Sequence, residues 1–301
     1  MLQETAHSLA SLDFFARETV EGFITGMHKS PFHGFSVEFA EHRAYNQGDS
    51  IRNIDWKLYA RTDNLFVKRF EEETNLRAHI LLDISSSMYY PLVQNSKLEF
   101  ALKSAAVLSY LLKKQRDAFG LTCFAKSIEW QSAVKSSTQH YQEIISQLEK
   151  VIKSEQKREQ TDIVSMLHLM AEKIHRRSLV IIFSDLFDQT NLNNPQLLFD
   201  AINHLKFKKH EIIIFHTVYG NEEIQFNFPS VPHKFVDIET GEEIKINTEE
   251  VRKEYIQRIQ SFNKIIKEKS MQYQVDFIEA DIDKGFEQII LPFLLKRQKL
   301  Y

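Results

Sequence analysis

The chain has few of the residues from which common enzyme sites are built. It contains a single cysteine, Cys123, which excludes an internal disulfide framework and a zinc site made of several thiolates. Only eight of its 301 residues are glycine, and it has no glycine-rich phosphate loop, serine nucleophile elbow or HExxH zinc helix. These absences remove the commonest enzyme classes before any positive evidence is weighed.

Long hydrophobic runs and a secretory leader are missing as well. The longest apolar run, Ile289 to Leu295, has seven residues, whereas a helix that crosses a bilayer needs roughly 20. The first sixteen residues contain no Lys or Arg, so the charged start of a signal peptide is not present. We therefore expect a cytoplasmic protein with no membrane span.

Neither disorder nor a strong charge of one sign is indicated. Hydrophobic residues make up 43% of the chain and charged residues 26%, which is ordinary for a folded protein. The 38 basic and 41 acidic residues nearly cancel, giving a formal net charge of −3. Because such a surface has no large positive field, we expect no nucleic-acid binding.

From residue 78 onward, short apolar runs alternate with segments of helical period. The runs are continuous rather than alternating, which indicates strands that are covered on both faces. This pattern predicts a doubly wound, mainly parallel α/β domain of the Rossmann-like type. The predicted strands are 78–84, 119–124, 178–184, 211–219 and 273–279, and the predicted helices begin at a capping box at Ser96 and lie near 138–152, 163–174, 195–207, 248–270 and 284–298.

Two regions depart from the alternation and set the predicted domain boundaries. Residues 1–77 are predicted to form an N-terminal module, with a helix at 8–25 and β-like pieces at 35–39 and 65–70. Residues 78–301 form the α/β domain, with a β-hairpin around Thr240-Gly241 inserted near 221–247.

Acidic and hydroxyl side chains follow two strands that we expect to be neighbours. Asp83, Ser85 and Ser87 follow the first main strand, Asp185 follows the strand at 178–184, and Thr161 precedes the helix between them. In open α/β sheets, ligands bind beyond the carboxyl ends of the strands, where the strand order reverses. We therefore expect these five side chains to converge on one crevice.

Carboxylate and hydroxyl oxygens are the ligands that Mg²⁺, Mn²⁺ and Ca²⁺ prefer. Two aspartates match the charge of a divalent ion, and neutral hydroxyls leave a position for an oxygen from another protein. The alternative is that Ser85, Ser87 and Thr161 are only turn or helix-capping residues.

The set Asp83-x-Ser85-x-Ser87, Thr161 and Asp185 resembles the metal-ion-dependent adhesion site of von Willebrand A domains. The resemblance implies that Ser85, Ser87 and Thr161 are direct ligands, and that Asp83 and Asp185 act largely through water. One position departs from the pattern, because Leu186 follows Asp185 where that family usually has glycine.

A second resemblance lies upstream, in the segment Arg43-Ala44-Tyr45-x-x-Gly48-Asp49-Ser50-x-Arg52-x-Ile54-Asp55-Trp56. It is similar to the signature of the bacterial family catalogued as domain of unknown function fifty-eight. Members of that family resemble partners of MoxR-type AAA+ ATPases. The resemblance implies an adaptor or co-chaperone that binds such an ATPase or its client.

The sequence thus favours a divalent-cation-dependent protein-binding module that is not an enzyme. The alternative is a metal-dependent phosphoryl-transfer enzyme or hydrolase with Asp83 as nucleophile. Phosphatases of that kind have an acid two residues after the nucleophile, where this chain has Ser85. A third possibility is a structural scaffold with a degenerate site.

Overall fold

The computed structural model describes residues 11–28, 42–44, 56–68, 76–92, 95–154 and 160–298. Contacts divide the chain into two compact units, one comprising Met1–Phe23 with Leu76–Tyr301 and the other Ile24–Asn75. The larger unit holds all the residues of the candidate site.

The helices and strands are numbered along the whole chain, and those within residues 42–68 belong to the smaller unit. The helices are α1 (Ser11–His28), α2 (Trp56–Thr62), α3 (Lys97–Lys114), α4 (Thr138–Lys153), α5 (Ile163–Lys173), α6 (Gln189–Asn193), α7 (Pro195–Phe207), α8 (Thr248–Gln272) and α9 (Phe286–Gln298). The strands are β1 (His42–Ala44), β2 (Phe66–Lys68), β3 (Arg77–Asp83), β4 (Ala118–Phe124), β5 (Ile128–Gln131), β6 (Leu179–Ser184), β7 (Glu211–Val218), β8 (Pro232–Val236), β9 (Glu243–Asn247) and β10 (Asp276–Asp281).

The central sheet has six strands in the order β10-β7-β6-β3-β4-β5. All neighbours are parallel except β4 and β5, which form an antiparallel edge pair. After β3 the chain adds β4 on one side and later β6 on the other. The strand order therefore reverses at β3, and a crevice opens between the carboxyl ends of β3 and β6.

Helices cover both faces of this sheet. On one face, strand residues such as Leu81, Ile182 and Ile214 share a buried cluster with side chains of α5, α7 and α8. On the other face, Phe215 contacts Phe293 of α9, with ring centroids 5.1 Å apart. Because successive strand residues point to opposite faces, a sheet buried on both sides needs the continuous apolar runs seen in the sequence. The predicted doubly wound α/β fold is confirmed.

The predicted strands and helices of this domain agree with the structure to within a few residues, with three differences. The last strand begins at Asp276 rather than at residue 273, because Tyr273 ends α8. The edge strand β5 and the short helix α6 were not predicted. The predicted hairpin is present as β8 and β9, which pair antiparallel.

Residues 11–23 of α1 belong to the larger unit, where both apolar and polar side chains of the helix make contacts. The Tyr141 hydroxyl donates to Asp13 Oδ1 at 2.7 Å, and the Tyr110 hydroxyl donates to Glu21 Oε1 at 3.0 Å. Contacts therefore group residues 11–23 with the sheet, whereas the sequence had placed this helix in a module of residues 1–77.

In the smaller unit, β1 and β2 form an antiparallel pair. The predicted β piece at 35–39 and residues 45–55 of the N-terminal signature lie outside the described residues. Among the described helices, none is both long enough and apolar enough to span a membrane.

Candidate functional site

Strands β3 and β6 bring the two aspartates to one edge of the sheet. Leu82 lies opposite Phe183 in the parallel register, so Asp83 and Ser184 end their strands side by side. The Ser184 hydroxyl donates to Asp83 Oδ2 at 2.7 Å. Asp83 and the adjacent Asp185 are both fully buried.

The Asp83 carboxylate is held by hydrogen bonds on both oxygens. Oδ1 accepts the Ser85 backbone N–H at 2.9 Å, and Oδ2 accepts the Thr161 hydroxyl at 3.2 Å in addition to Ser184. Burial, and then the nearby charge of Asp185, raises the pKa of Asp83 to about 6. A cation beside this carboxylate would stabilise its charged form.

The two serines after β3 turn their hydroxyls toward each other. Residues Ser86–Tyr89 form a single 3₁₀ turn that begins directly after Ser85. The Oγ atoms of Ser85 and Ser87 lie 3.2 Å apart. Two oxygens at this separation can bind one ion together.

Thr161 and Asp162 have separate roles at the start of α5. Asp162 is the N-cap, since its carboxylate accepts the Ser165 backbone N–H at 3.0 Å. Its own N–H donates to the Ala125 carbonyl at 3.4 Å, which ties this loop to the end of β4. The Thr161 hydroxyl is thereby directed to Asp83 instead of capping the helix.

Asp185 is paired with a buried lysine. Lys97 Nζ lies 2.8 Å from Asp185 Oδ2, and it also pairs with Glu223. Burial lowers the pKa of Lys97, but Asp185 and Glu223 outweigh burial and raise it above its ordinary value. The Phe187 backbone N–H donates to Asp185 Oδ1 at 3.1 Å, and His216 Nε2 lies 2.8 Å from the Asp185 carbonyl oxygen.

Leu186 occupies a backbone conformation that favours glycine. Its φ is +57°, in the left-handed region, and its side chain is fully buried. The loop after Asp185 therefore follows the path of a glycine-containing loop even though leucine is present. Burial of the side chain offsets the cost of this conformation, which is about 1–2 kcal/mol.

Hydrogen bonds connect four of the five predicted residues, since Asp83 contacts Ser85 and Thr161, and Ser85 contacts Ser87. Asp185 lies at the same edge of the sheet, but its carboxylate contacts Lys97 and the Phe187 N–H. Carboxylate and hydroxyl oxygens of this kind suit a hard divalent cation. Among the described residues, no three His, Cys, Asp or Glu side chains form a metal-binding group by themselves. A cation site here would therefore depend on the hydroxyls of Ser85, Ser87 and Thr161, and metal binding stays a prediction.

Sequence reasoning missed three residues of this site: Ser184, Lys97 and Glu223. The sequence contains a signal that could have identified Lys97: it is a basic residue at the first position of a helix, where it opposes the helix dipole. Ser184 directly precedes Asp185, but nothing in the sequence separates it from other strand-end serines. Glu223 lies in a π-helical turn, Gly220–Ile224, which the apolar pattern does not indicate.

The family model for "Protein of unknown function DUF58" matches residues 41–264 of the chain. Curated relatives include an uncharacterized protein of Mycobacterium bovis and an uncharacterized protein of Mycobacterium tuberculosis. Each is 27% identical over 106 residues, which cover 35% of this chain and 33% of the relative. The match thus spans about a third of the length of these relatives.

Two solved structures are also similar. One is an aerotolerance-related membrane protein from Bacteroides fragilis, with a TM-score of 0.43, 19% identity, and coverage of 71% of this chain and 98% of that chain. The other is the conserved hypothetical protein BatB from Bacteroides thetaiotaomicron, with a TM-score of 0.43, 16% identity, and coverage of 74% and 99%.

Proposed function

The chain belongs to the DUF58 family of proteins of unknown function, and we propose that it is a divalent-cation-dependent protein-binding module. In this proposal Mg²⁺, or Mn²⁺ or Ca²⁺ in its place, is held by Asp83, Ser85, Ser87, Thr161 and Asp185. The domain then acts as one of the von Willebrand A type. When bound, the cation supplies a Lewis-acidic position for a carboxylate oxygen of the partner.

The observation that carries the proposal is the orientation of the Thr161 hydroxyl. If Thr161 were a capping residue, its oxygen would accept a backbone N–H of α5, but Asp162 fills that role. The hydroxyl instead donates to Asp83 Oδ2, while the Ser85 backbone N–H donates to Oδ1 of the same carboxylate. Contacts with Asp83 thus connect the Thr161 loop with the loop that carries Ser85 and Ser87, and this connection supports the proposal.

The burial of Asp83 favours binding over the phosphoryl-transfer alternative. A nucleophilic carboxylate must present an oxygen to its substrate, whereas Asp83 has no exposed surface. Both of its oxygens accept hydrogen bonds from residues of the site. This arrangement supports a role in orienting ligands around an ion.

The partner in this proposal is a MoxR-type AAA+ ATPase or one of its clients, and the protein acts in the cytoplasm. The resemblance of the segment from Arg43 to Trp56 supports the choice of partner. The near balance of basic and acidic residues supports a protein rather than a nucleic acid.

Calorimetric titration with Mn²⁺ and Mg²⁺ tests the cation site. We expect titration of the unaltered protein to give a heat of binding that saturates. We expect Ser85→Ala plus Ser87→Ala to abolish this signal, because two of the neutral ligands are lost. A matched control is Ser96→Ala plus Ser137→Ala, since these two serines cap α3 and α4.

The control variant should lose stability, by about 1 kcal/mol for each cap, and keep its cation binding. Absence of binding by the unaltered protein would refute the proposal, as would equal binding by the Ser85/Ser87 variant. Capture of a MoxR-type ATPase that is unchanged in EDTA would refute the link between the cation and the partner.

A further inference from the structure

Strand β10 is the outermost strand on one side of the central sheet. It pairs with β7 through all six of its residues, Asp276–Asp281, in an unbroken register. Among the residues that the structure describes, no strand pairs with its other edge. An edge strand presents a row of backbone N–H and C=O groups with which a further strand can pair. Because this edge is regular and contains no proline, it can act as a template for an added strand.

A groove with a volume of about 360 Å³ lies between β10 and α9. Ile278 aligns with Phe215 of β7 in the parallel register, and Phe215 packs against Phe293 of α9. Because aligned residues of neighbouring strands point to the same face, Ile278 faces α9. Ile289 and Pro292 of α9 also line the groove. The free edge therefore has an apolar recess on its α9 side, in which a side chain of an added strand can pack.

The opposite face of this edge carries an acidic side chain. Glu279 aligns with His216 of β7, and it lies on the face opposite Ile278 because successive strand residues alternate. The Glu279 side chain is exposed to solvent. Residues of an added strand would alternate in the same way, with one set beside Ile278 and the other beside Glu279.

The two lysines that line the groove are already paired with other acidic residues of β10. Lys296 Nζ lies 2.7 Å from Asp276 Oδ1, and Lys284 Nζ lies 3.6 Å from Asp281 Oδ2. Glu279 has no basic partner within the part of the chain that the structure describes. A basic side chain of an added strand is therefore favoured beside Glu279.

The charge of β10 disfavours a second copy of this chain at the same edge. The strand has three acidic residues and no basic one. If two copies paired through β10, these like charges would lie together on one joint sheet, and like charges on facing strands are destabilising. A segment with basic side chains would be attracted instead.

We propose that the outer edge of β10 binds an extended, basic segment of a partner protein as an added strand. Alternate side chains of this segment are apolar and pack in the groove beside Ile278, and the side chains between them are Lys or Arg and lie near Glu279. Backbone hydrogen bonds to the edge supply affinity, and the two sets of side chains supply specificity. Strands β7 and β6 separate β10 from β3, so this docking edge includes no residue of the candidate cation site.

Fluorescence anisotropy with a labelled peptide tests this inference. The probe is a peptide of alternating valine and lysine that is long enough to pair with all six residues of β10, and the control peptide has glutamate in place of lysine. We expect the unaltered protein to bind the lysine peptide and not the glutamate peptide. Glu279→Lys should weaken binding of the lysine peptide by about three- to tenfold, because attraction becomes repulsion.

The matched control variant is Glu287→Lys. It makes the same change of charge at an exposed residue of α9 that does not line the groove, and we expect it to bind the lysine peptide as the unaltered protein does. We also expect unchanged binding in EDTA and in Ser85→Ala plus Ser87→Ala, because the docking edge does not use the cation.

Hydrogen exchange reports on the strand itself, and the lysine peptide should slow the exchange of the amides at 276–281. Absence of peptide binding, equal binding by Glu279→Lys, loss of binding in EDTA, or binding without slower exchange at 276–281 would overturn this inference and leave the proposed function standing. Dimers of the unaltered protein that protect the same amides, detected by sedimentation without peptide, would assign the edge to a second copy and overturn it as well. A protein that binds the peptide at β10 but binds no Mn²⁺ would refute the proposed function alone.

Discussion

The Lys97 side chain is unfavourable both at its position in the helix and in its buried environment, and its ion pairs at the candidate site compensate for this. It occupies the first position of α3, where the helix dipole is positive and a cation is disfavoured. It is also fully buried, which is costly for an ammonium group without partners. The carboxylates of Asp185 and Glu223 offset both costs, and the three charges therefore depend on one another.

Removal of the Lys97 charge should destabilise the protein strongly. In Lys97→Met a side chain of similar length leaves Asp185 and Glu223 facing each other without a cation. We expect the free energy of unfolding, measured by urea denaturation, to fall by about 3–5 kcal/mol.

Lys103→Met is the matched control for this loss. Lys103 pairs with Glu99 at 2.7 Å on the same helix, and both of these side chains are partly exposed to solvent. Because exposed ion pairs contribute less than about 1 kcal/mol, the control should stay close to the unaltered protein. If the two substitutions lowered the free energy of unfolding equally, the buried ion pairs of Lys97 would contribute no more to stability than the Lys103–Glu99 pair.

At the scale of the helix, two adjacent residues at the start of α5 have different roles. Asp162 caps the helix, and Thr161 is the proposed ligand of the cation. In Asp162→Ala the Ser165 N–H loses its acceptor, and we expect the free energy of unfolding to fall by about 1 kcal/mol with Mn²⁺ affinity unchanged. In Thr161→Val the shape is kept but the hydroxyl is lost, and we expect Mn²⁺ affinity to fall. Urea denaturation and calorimetric titration of both variants measure the two effects.

The opposite outcome has a definite meaning. If Thr161→Val bound Mn²⁺ normally, the hydroxyl would serve only to hold Asp83, and Thr161 would leave the ligand set. If Asp162→Ala lost cation binding as well, the position of Thr161 would depend on the cap, and the two roles would not be separable.

Elements buried on both faces were predictable, whereas elements at the edges were not. The strands β3, β6 and β7 appear in the sequence as continuous apolar runs because helices cover both of their faces. Ile128–Gln131 is only half buried, and it follows an irregular register at Cys123 and Phe124, so β5 left no clear pattern. At Tyr273 an aromatic residue that stacks on Phe199 was taken for the start of a strand.

At the scale of the whole molecule, the sequence predicted which strand ends are neighbours. A doubly wound sheet places the ends of adjacent parallel strands together, which is sufficient to bring Asp83 and Asp185 to the same edge of the sheet. Contacts between distant parts of the chain could not be predicted in this way. Lys97 lies 88 positions from Asp185 and 126 from Glu223 along the chain.

The stability of the whole protein should also depend on the buried His79 of β3. Burial, reinforced by the charges of His210 and Arg77, lowers the pKa of His79 to about 4, below its ordinary value of 6.5. Between these two pH values the unfolded chain is protonated at His79 while the folded protein is not. The contribution of neutral His79 is therefore present above pH 6.5 and is lost as the pH falls toward 4.

The measurement is urea denaturation of the unaltered protein and of His79→Gln between pH 4 and 7. A Gln side chain does not titrate, so the free energy of unfolding of the unaltered protein, relative to this variant, should be about 3 kcal/mol lower at pH 4 than at pH 7. The exposed His175 offers a control, since His175→Gln removes an imidazole that folding leaves in water. Parallel pH curves for the unaltered protein and His79→Gln would contradict the prediction, because they would mean that His79 binds its proton equally in the folded and unfolded states.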